Sequence, residues 1–162
     1  VSLFAGRCDW REGMMNLFLL RFYFLGVLLM TSLQAAATDP VQFDYMMNCQ
    51  GCHLPDGAGF PGRNVPAVAG NLGNFLRVQG GREFLVQVPG SAQSDLGDAQ
   101  LAAVLNWMLT TFSAEQLPND WQPYGAAEVQ QLGQFPLIEV APMRRHLMGL
   151  VEANLRTEGA RP

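Results

Sequence analysis

The 162-residue chain has no lysine at all. Its ten basic residues are all arginine, set against fourteen Asp or Glu, for a formal charge of −4. That excludes a basic stripe of the kind that grips nucleic-acid phosphates. It also excludes a lysine-ringed docking face, so any electrostatic steering falls to arginine or to acids facing a basic partner. No glycine loop is followed by Lys and Ser/Thr, which excludes a P-loop. Cysteine is scarce too: Cys8, Cys49 and Cys52 are too few for a disulfide framework. With His53 and His146 the only histidines and no second cysteine pair, neither a zinc cluster nor a Ser/His/Asp set is supported. At 49% hydrophobic and 15% charged residues, the chain is not disordered.

Part of that hydrophobicity lies near the N-terminus, in MMNLFLLRFYFLGVLLMTSLQAAATDP, residues 14–40. The stretch has one basic residue, Arg21, and no acid before Asp39. An apolar run from Phe22 to Leu33 leads to Ala35 and Ala37, which fit the A-x-A pattern of a cleaved secretory signal peptide. The run is short and interrupted for a membrane span, with an uncleaved anchor as the alternative. Residues 1–13, with Cys8 and Trp10, are unlike a signal n-region, and translation is expected to begin at Met14 or Met15. Removal of residues 1–37 leaves 125 residues with seven Arg and twelve Asp or Glu, a formal charge of −5. The expected location is the periplasm.

The most informative stretch is CQGCH, Cys49–His53. C-x-x-C-H is the attachment signature for c-type haem. Each thiol adds to one porphyrin vinyl group. The two intervening residues let a helical turn present both sulfurs, and the adjacent imidazole reaches the iron from the same side. A redox dithiol of the thioredoxin type expects a βαβ context, and none precedes the motif. The flanks agree. Asp39 caps and Pro40 opens an expected helix over residues 39–48. After His53, Gly57, Gly59 and Gly62 permit tight turns beside a flat ligand.

Residues 45–70, YMMNCQGCHLPDGAGFPGRNVPAVAG, resemble the N-terminal half of a bacterial class I c-type cytochrome. The resemblance extends over about residues 41–112. It implies an all-α fold, a small helical domain around one covalent haem c and its iron. On that basis residues 38–112 form the haem domain and residues 113–162 a C-terminal extension of linker plus helices. It implies Cys49 and Cys52 as haem anchors and His53 as proximal iron ligand. It also implies that the Pro66 carbonyl accepts the imidazole Nδ1–H, setting ring orientation and basicity; the alternative for Pro66 is a loop stiffener.

The next organised stretch is Ser94 to Phe112, with Asp98 as N-cap of a helix that carries Leu101, Val104, Leu105, Met108 and Phe112 on one face. The resemblance implies that it crosses the first helix. Trp107 is then a core aromatic that also walls the haem edge. The family's second axial ligand, a Met shortly before this helix, is missing: residues 54–98 contain no Met and no His. Three resolutions remain. Met108 supplies the sulfur; Met143 or His146 folds back from the tail; or the sixth position is open. Met108 equally suits packing on an apolar stripe.

In the tail, residues 126–132 form a short helix, and a longer one opens at Pro142 with Met143, Leu147, Leu150, Val151 and Leu155 in a stripe. This helix either packs back on the domain or docks a partner. The leading function is periplasmic one-electron transfer. The resemblance implies a periplasmic dehydrogenase as donor and a terminal oxidase or another cytochrome as acceptor. Two alternatives stand beside it: a haem enzyme or small-ligand sensor with an open sixth position, and a subunit docked permanently to a dehydrogenase through its tail.

Overall fold

In the computed structural model the chain divides into two compact units, Val1–Ala37 and Thr38–Pro162, and residues 20–23 and 38–159 are described. The expected signal peptide and its upstream residues thus lie almost wholly outside the described residues. No described helix is long and apolar enough to cross a membrane.

The second unit is built from helices, with no named strand among the described residues. Helix α1 (Pro40–Asn48) starts as the sequence dictates: Asp39 accepts from the Val41 N–H at 2.9 Å, and Pro40 occupies the first turn, where its missing donor costs nothing. The short α2 (Gln50–His53) follows after a kink at Cys49. A loop leads to a 3-10 helix, Leu72–Arg77, then α3 (Gly81–Gln87) and α4 (Pro89–Ala92). Helix α5 (Asp98–Phe112) is the central element and buries Leu101, Ala102, Val104, Leu105, Met108 and Leu109. Its N-cap is Gly97, not Asp98; the Gln100 side chain reaches back to the Gly97 N–H at 3.3 Å, so Asp98 becomes the first helical residue. Helices α6 (Ala126–Leu132) and α7 (Val140–Gly159) complete the unit. Helix α7 begins two residues before Pro142, which the first turn tolerates because its amides need no partner.

Residues 113–159 pack into the same core as residues 38–112. Asn106 on α5 clips the connection down: its Nδ2 donates to the Tyr124 carbonyl at 3.0 Å and its Oδ1 accepts from the Tyr124 N–H at 2.7 Å. Arg82 pairs with Glu128, donates to the carbonyls of Gln122 and Pro123, and lies 4.1 Å over the Tyr124 ring. The Tyr124 hydroxyl donates to the Arg82 carbonyl at 2.9 Å. Tyr124 is buried, so Asn106→Ala strands two backbone groups away from water. That is expected to cost about 1–3 kcal/mol, read as a lower denaturant midpoint with an unchanged slope.

Helix α7 lies against the Leu72–Arg77 segment. Leu147 and Val151 are buried, Asn154 donates to the Arg77 carbonyl at 3.0 Å, and Arg77 pairs with Glu158 at 3.0 Å. Val140 also packs on the core. The inward stripe is therefore 140, 144, 147, 151 and 154, with the exposed Glu158 reaching Arg77 from its C-terminal end. The apolar stripe read from the sequence is rotated from it, and its members Met143, Leu150 and Leu155 are exposed.

Candidate functional site

Helix α1 ends where the site begins. The Cys49 N–H closes the last turn on the Tyr45 carbonyl at 2.8 Å, and Cys52 and His53 donate to the Cys49 carbonyl at 3.1 and 3.0 Å. One helical turn thus presents both thiols and the imidazole on a common wall, and both cysteines are free. The Tyr45 hydroxyl fixes the exit of the turn by donating to the Leu54 carbonyl at 2.6 Å. Burial, and then the nearby Cys49 and Asp56, push the Tyr45 phenol up to about 12, so it stays a donor.

The loop after His53 folds back onto the imidazole. Gly59 donates to the His53 carbonyl at 3.1 Å with φ +70°, a conformation that L side chains rarely adopt. A Cβ there would sit 2.5 Å from the Pro66 carbonyl oxygen. This close approach holds the Pro66 carbonyl beside His53. His53 Nδ1 is buried and makes no hydrogen bond of good geometry, and the acceptor it faces is that carbonyl. Burial holds the imidazole below its usual range, and the Pro66 carbonyl offsets this in part. A neutral imidazole whose Nδ1–H faces a carbonyl keeps Nε2 free as a metal ligand.

Cys49, Cys52 and His53 line a cavity of about 550 Å³. Its other walls come from Asn64–Val68, Phe75, Phe84, the Val88–Ser91 segment, α5 and the first turns of α7. The surface is overwhelmingly apolar. No Asp or Glu lines it, and Arg144 is its one arginine. Burial, and then the neighbouring Cys52, push the Cys49 thiol up to about 11, so the free sulfur is a neutral thiol at neutral pH. Two thiols a turn apart, an imidazole with one orphaned buried nitrogen and a large apolar cavity fit a covalently held porphyrin.

The candidate residues separate clearly. Cys49, Cys52, His53, Pro66 and Met108 meet at the cavity. Met143 and His146 are exposed and line no part of it. Trp107 does not line it either; its ring packs behind the wall against Tyr45 and Phe112, at centroid distances of 5.0 and 5.3 Å. The segment where the missing Met was expected does reach the cavity, through Val88, Pro89, Gly90, Ser91 and Ser94. Sequence reasoning missed Val140, Ala141 and Arg144, which line the cavity from the extension. Their signal was the heptad-like run 140, 144, 147 and 151, obscured by the arginine within it.

No protein-family model matches the chain. It is 32% identical over 102 residues to cytochrome c-552 of Thermus thermophilus, a match covering 52% of this chain and 77% of that protein. Cytochrome c-552 of Thermus thermophilus strain ATCC 27634 matches to the same extent, with 68% of its length covered. Relatives of this kind imply a covalent haem c with its iron, which the cavity suits. With identity and coverage at that level, this chain belongs to the class I c-type cytochromes, haem-based electron carriers.

Proposed function

We propose that the chain carries one electron at a time in the periplasm, between a dehydrogenase and a terminal oxidase or another cytochrome, through a single haem c. The observation that carries this reading is the convergence of Cys49, Cys52 and His53 on one apolar cavity. When bound, haem c supplies an iron that alternates between Fe(III) and Fe(II). The residues of the chain do the rest. Cys49 and Cys52 anchor the macrocycle as thioethers. His53 is the proximal ligand, oriented by the Pro66 carbonyl. Phe75, Phe84, Leu101, Val104 and Leu105 exclude water, which lowers the local dielectric and the reorganisation that accompanies each electron. Residues 38–112 provide the haem domain, residues 113–162 an extension, and Trp107 backs the aromatic wall behind the haem.

We assign the sixth ligand to Met108, which is buried, 5% exposed, and lines the cavity, whereas Met143 and His146 do not. In the oxidised haem-loaded protein, the far-red charge-transfer band of methionine–iron ligation is expected and is lost in Met108→Ala. One observation favours a second reading, an open sixth position binding small ligands: the Val88–Ser94 segment brings only serine hydroxyls as polar side chains to the cavity. Absence of the far-red band together with rapid carbon monoxide binding by the reduced protein would establish that reading instead.

A further inference from the structure

Behind the cavity wall Tyr45, Trp107 and Phe112 form a closed triangle of rings, with centroids 5.0, 5.3 and 5.3 Å apart. Packing alone accounts for the contacts. The chemistry of two members goes further. Indole and phenol give up one electron far more readily than the phenylalanine ring. Tyr45 and Trp107 are the one pair of oxidisable rings in contact among the described residues. The pair has an inner and an outer end. Tyr45 is buried one helical turn before Cys49, whose N–H donates to the Tyr45 carbonyl at 2.8 Å, and Cys49 lines the cavity. Trp107 is half-buried and lines no part of the cavity, so its indole meets solvent elsewhere. Electrostatics set this pair apart. The ring of Tyr124 lies 4.1 Å under the Arg82 guanidinium, and a cation over a ring opposes loss of an electron from it. Among the described residues no arginine lies over Tyr45 or Trp107, and the nearby Asp56 carboxylate favours positive charge at Tyr45. The Tyr45 hydroxyl donates to the Leu54 carbonyl, which is no base, so an oxidised Tyr45 has nowhere to leave its proton. Tyr45 is therefore a point of passage for a vacancy and not a resting place.

We infer that Trp107 and Tyr45 form a relay through which the reduced protein quenches strong one-electron oxidants of the peroxyl-radical class that reach the α5 surface. This rests on the haem reading above, since the electron is the one held as Fe(II). The peroxyl radical takes one electron from the Trp107 indole and one proton from water, and leaves as a hydroperoxide. The vacancy on the indole is filled from Tyr45, and that on Tyr45 through Cys49 from the reduced iron. One Fe(II) becomes Fe(III), one radical is reduced and one proton is consumed. The donor that serves the carrier function restores Fe(II). Phe112 closes the triangle and takes no part in the transfer.

The test uses the full haem-loaded chain in its ferrous state. Pulse radiolysis in bromide supplies the dibromide radical anion, which takes one electron from an indole and becomes two bromide ions. The wild type is expected to show an indolyl radical that decays as the haem oxidises, at a rate independent of protein concentration. That phase is expected to be lost in Trp107→Phe, slowed in Tyr45→Phe and unchanged in Trp121→Phe, whose indole touches no other aromatic ring among the described residues. A wild-type rate in Trp107→Phe or in Tyr45→Phe, or loss of the phase in Trp121→Phe, would overturn the relay. Should the variants fail to fold, peptide mapping of the irradiated wild type decides. Ferrous protein is expected to spare Trp107 but not Trp121, whereas ferric protein, with no electron to give, has both oxidised. Equal oxidation of Trp107 in the two states refutes the relay. A chain that carries no covalent haem would instead sink the site reading itself, so the two failures are distinguishable.

Discussion

Replacing Cys49 and Cys52 together by alanine is expected to abolish covalent haem attachment, so that acid–acetone extraction leaves a colourless chain. The thiols are the only groups at the cavity able to form thioethers, and both are free. Each single variant leaves one sulfur and is expected to retain a fraction of the haem on one bond. The expected loss goes beyond colour. Residues 38–159 surround a cavity of about 550 Å³. A small domain with a hollow that size has lost packing contacts throughout its lining, and voids in cores cost steadily with volume. The double variant should therefore unfold at a much lower temperature than the loaded wild type, measured by far-ultraviolet circular dichroism. Equal thermal midpoints would show that the cavity is not the haem's.

Gly59→Ala is expected to have the next largest effect, through a residue that touches no haem. Its φ of +70° alone costs a side chain about 1–2 kcal/mol. The added Cβ would also lie 2.5 Å from the Pro66 oxygen, 2.6 Å from its carbon and 2.7 Å from the Val65 oxygen. These are backbone atoms, so the loop must move, carrying the Pro66 carbonyl away from His53. The chain should then be less stable, and the imidazole, deprived of its acceptor, a weaker donor to iron, so the midpoint potential should rise. Gly149→Ala is the control: it lies within α7, an added methyl group there would meet nothing within 4 Å, and the variant should gain about 0.5–1 kcal/mol with no change in potential. A Gly59→Ala protein with wild-type stability and potential would disprove the close approach.

The parts of this site that can be read from the sequence are the local ones. Cys49, Cys52 and His53 announce themselves because thioether chemistry demands adjacency along the chain. Helix α1 shows through the Asp39–Pro40 pair, and α5 through a stripe long enough to resolve its period. The Leu72–Arg77 segment and α3 give no such signal. They are short, they meet at Gly80–Gly81, and tertiary contacts order them. Gly81 lies so close to the Phe75 carbonyl that no side chain fits, and the Phe75 and Phe84 rings stack at 5.1 Å. Helix α7 misleads for a different reason. Hydrophobicity alone selects Met143, Leu150 and Leu155, whereas the inward face also carries Asn154, whose partner, the Arg77 carbonyl, belongs to another element. Met108, the residue we assign as sixth ligand, looks like packing until the cavity it lines is seen.

The most direct test is the denaturing intact mass of the chain produced in a host equipped for haem attachment, followed by mapping of the peptide containing Cys49–His53. The account predicts the mass of the polypeptide plus one haem, carried on that peptide. A chain with the unmodified mass, or one whose haem separates on denaturation, would contradict it.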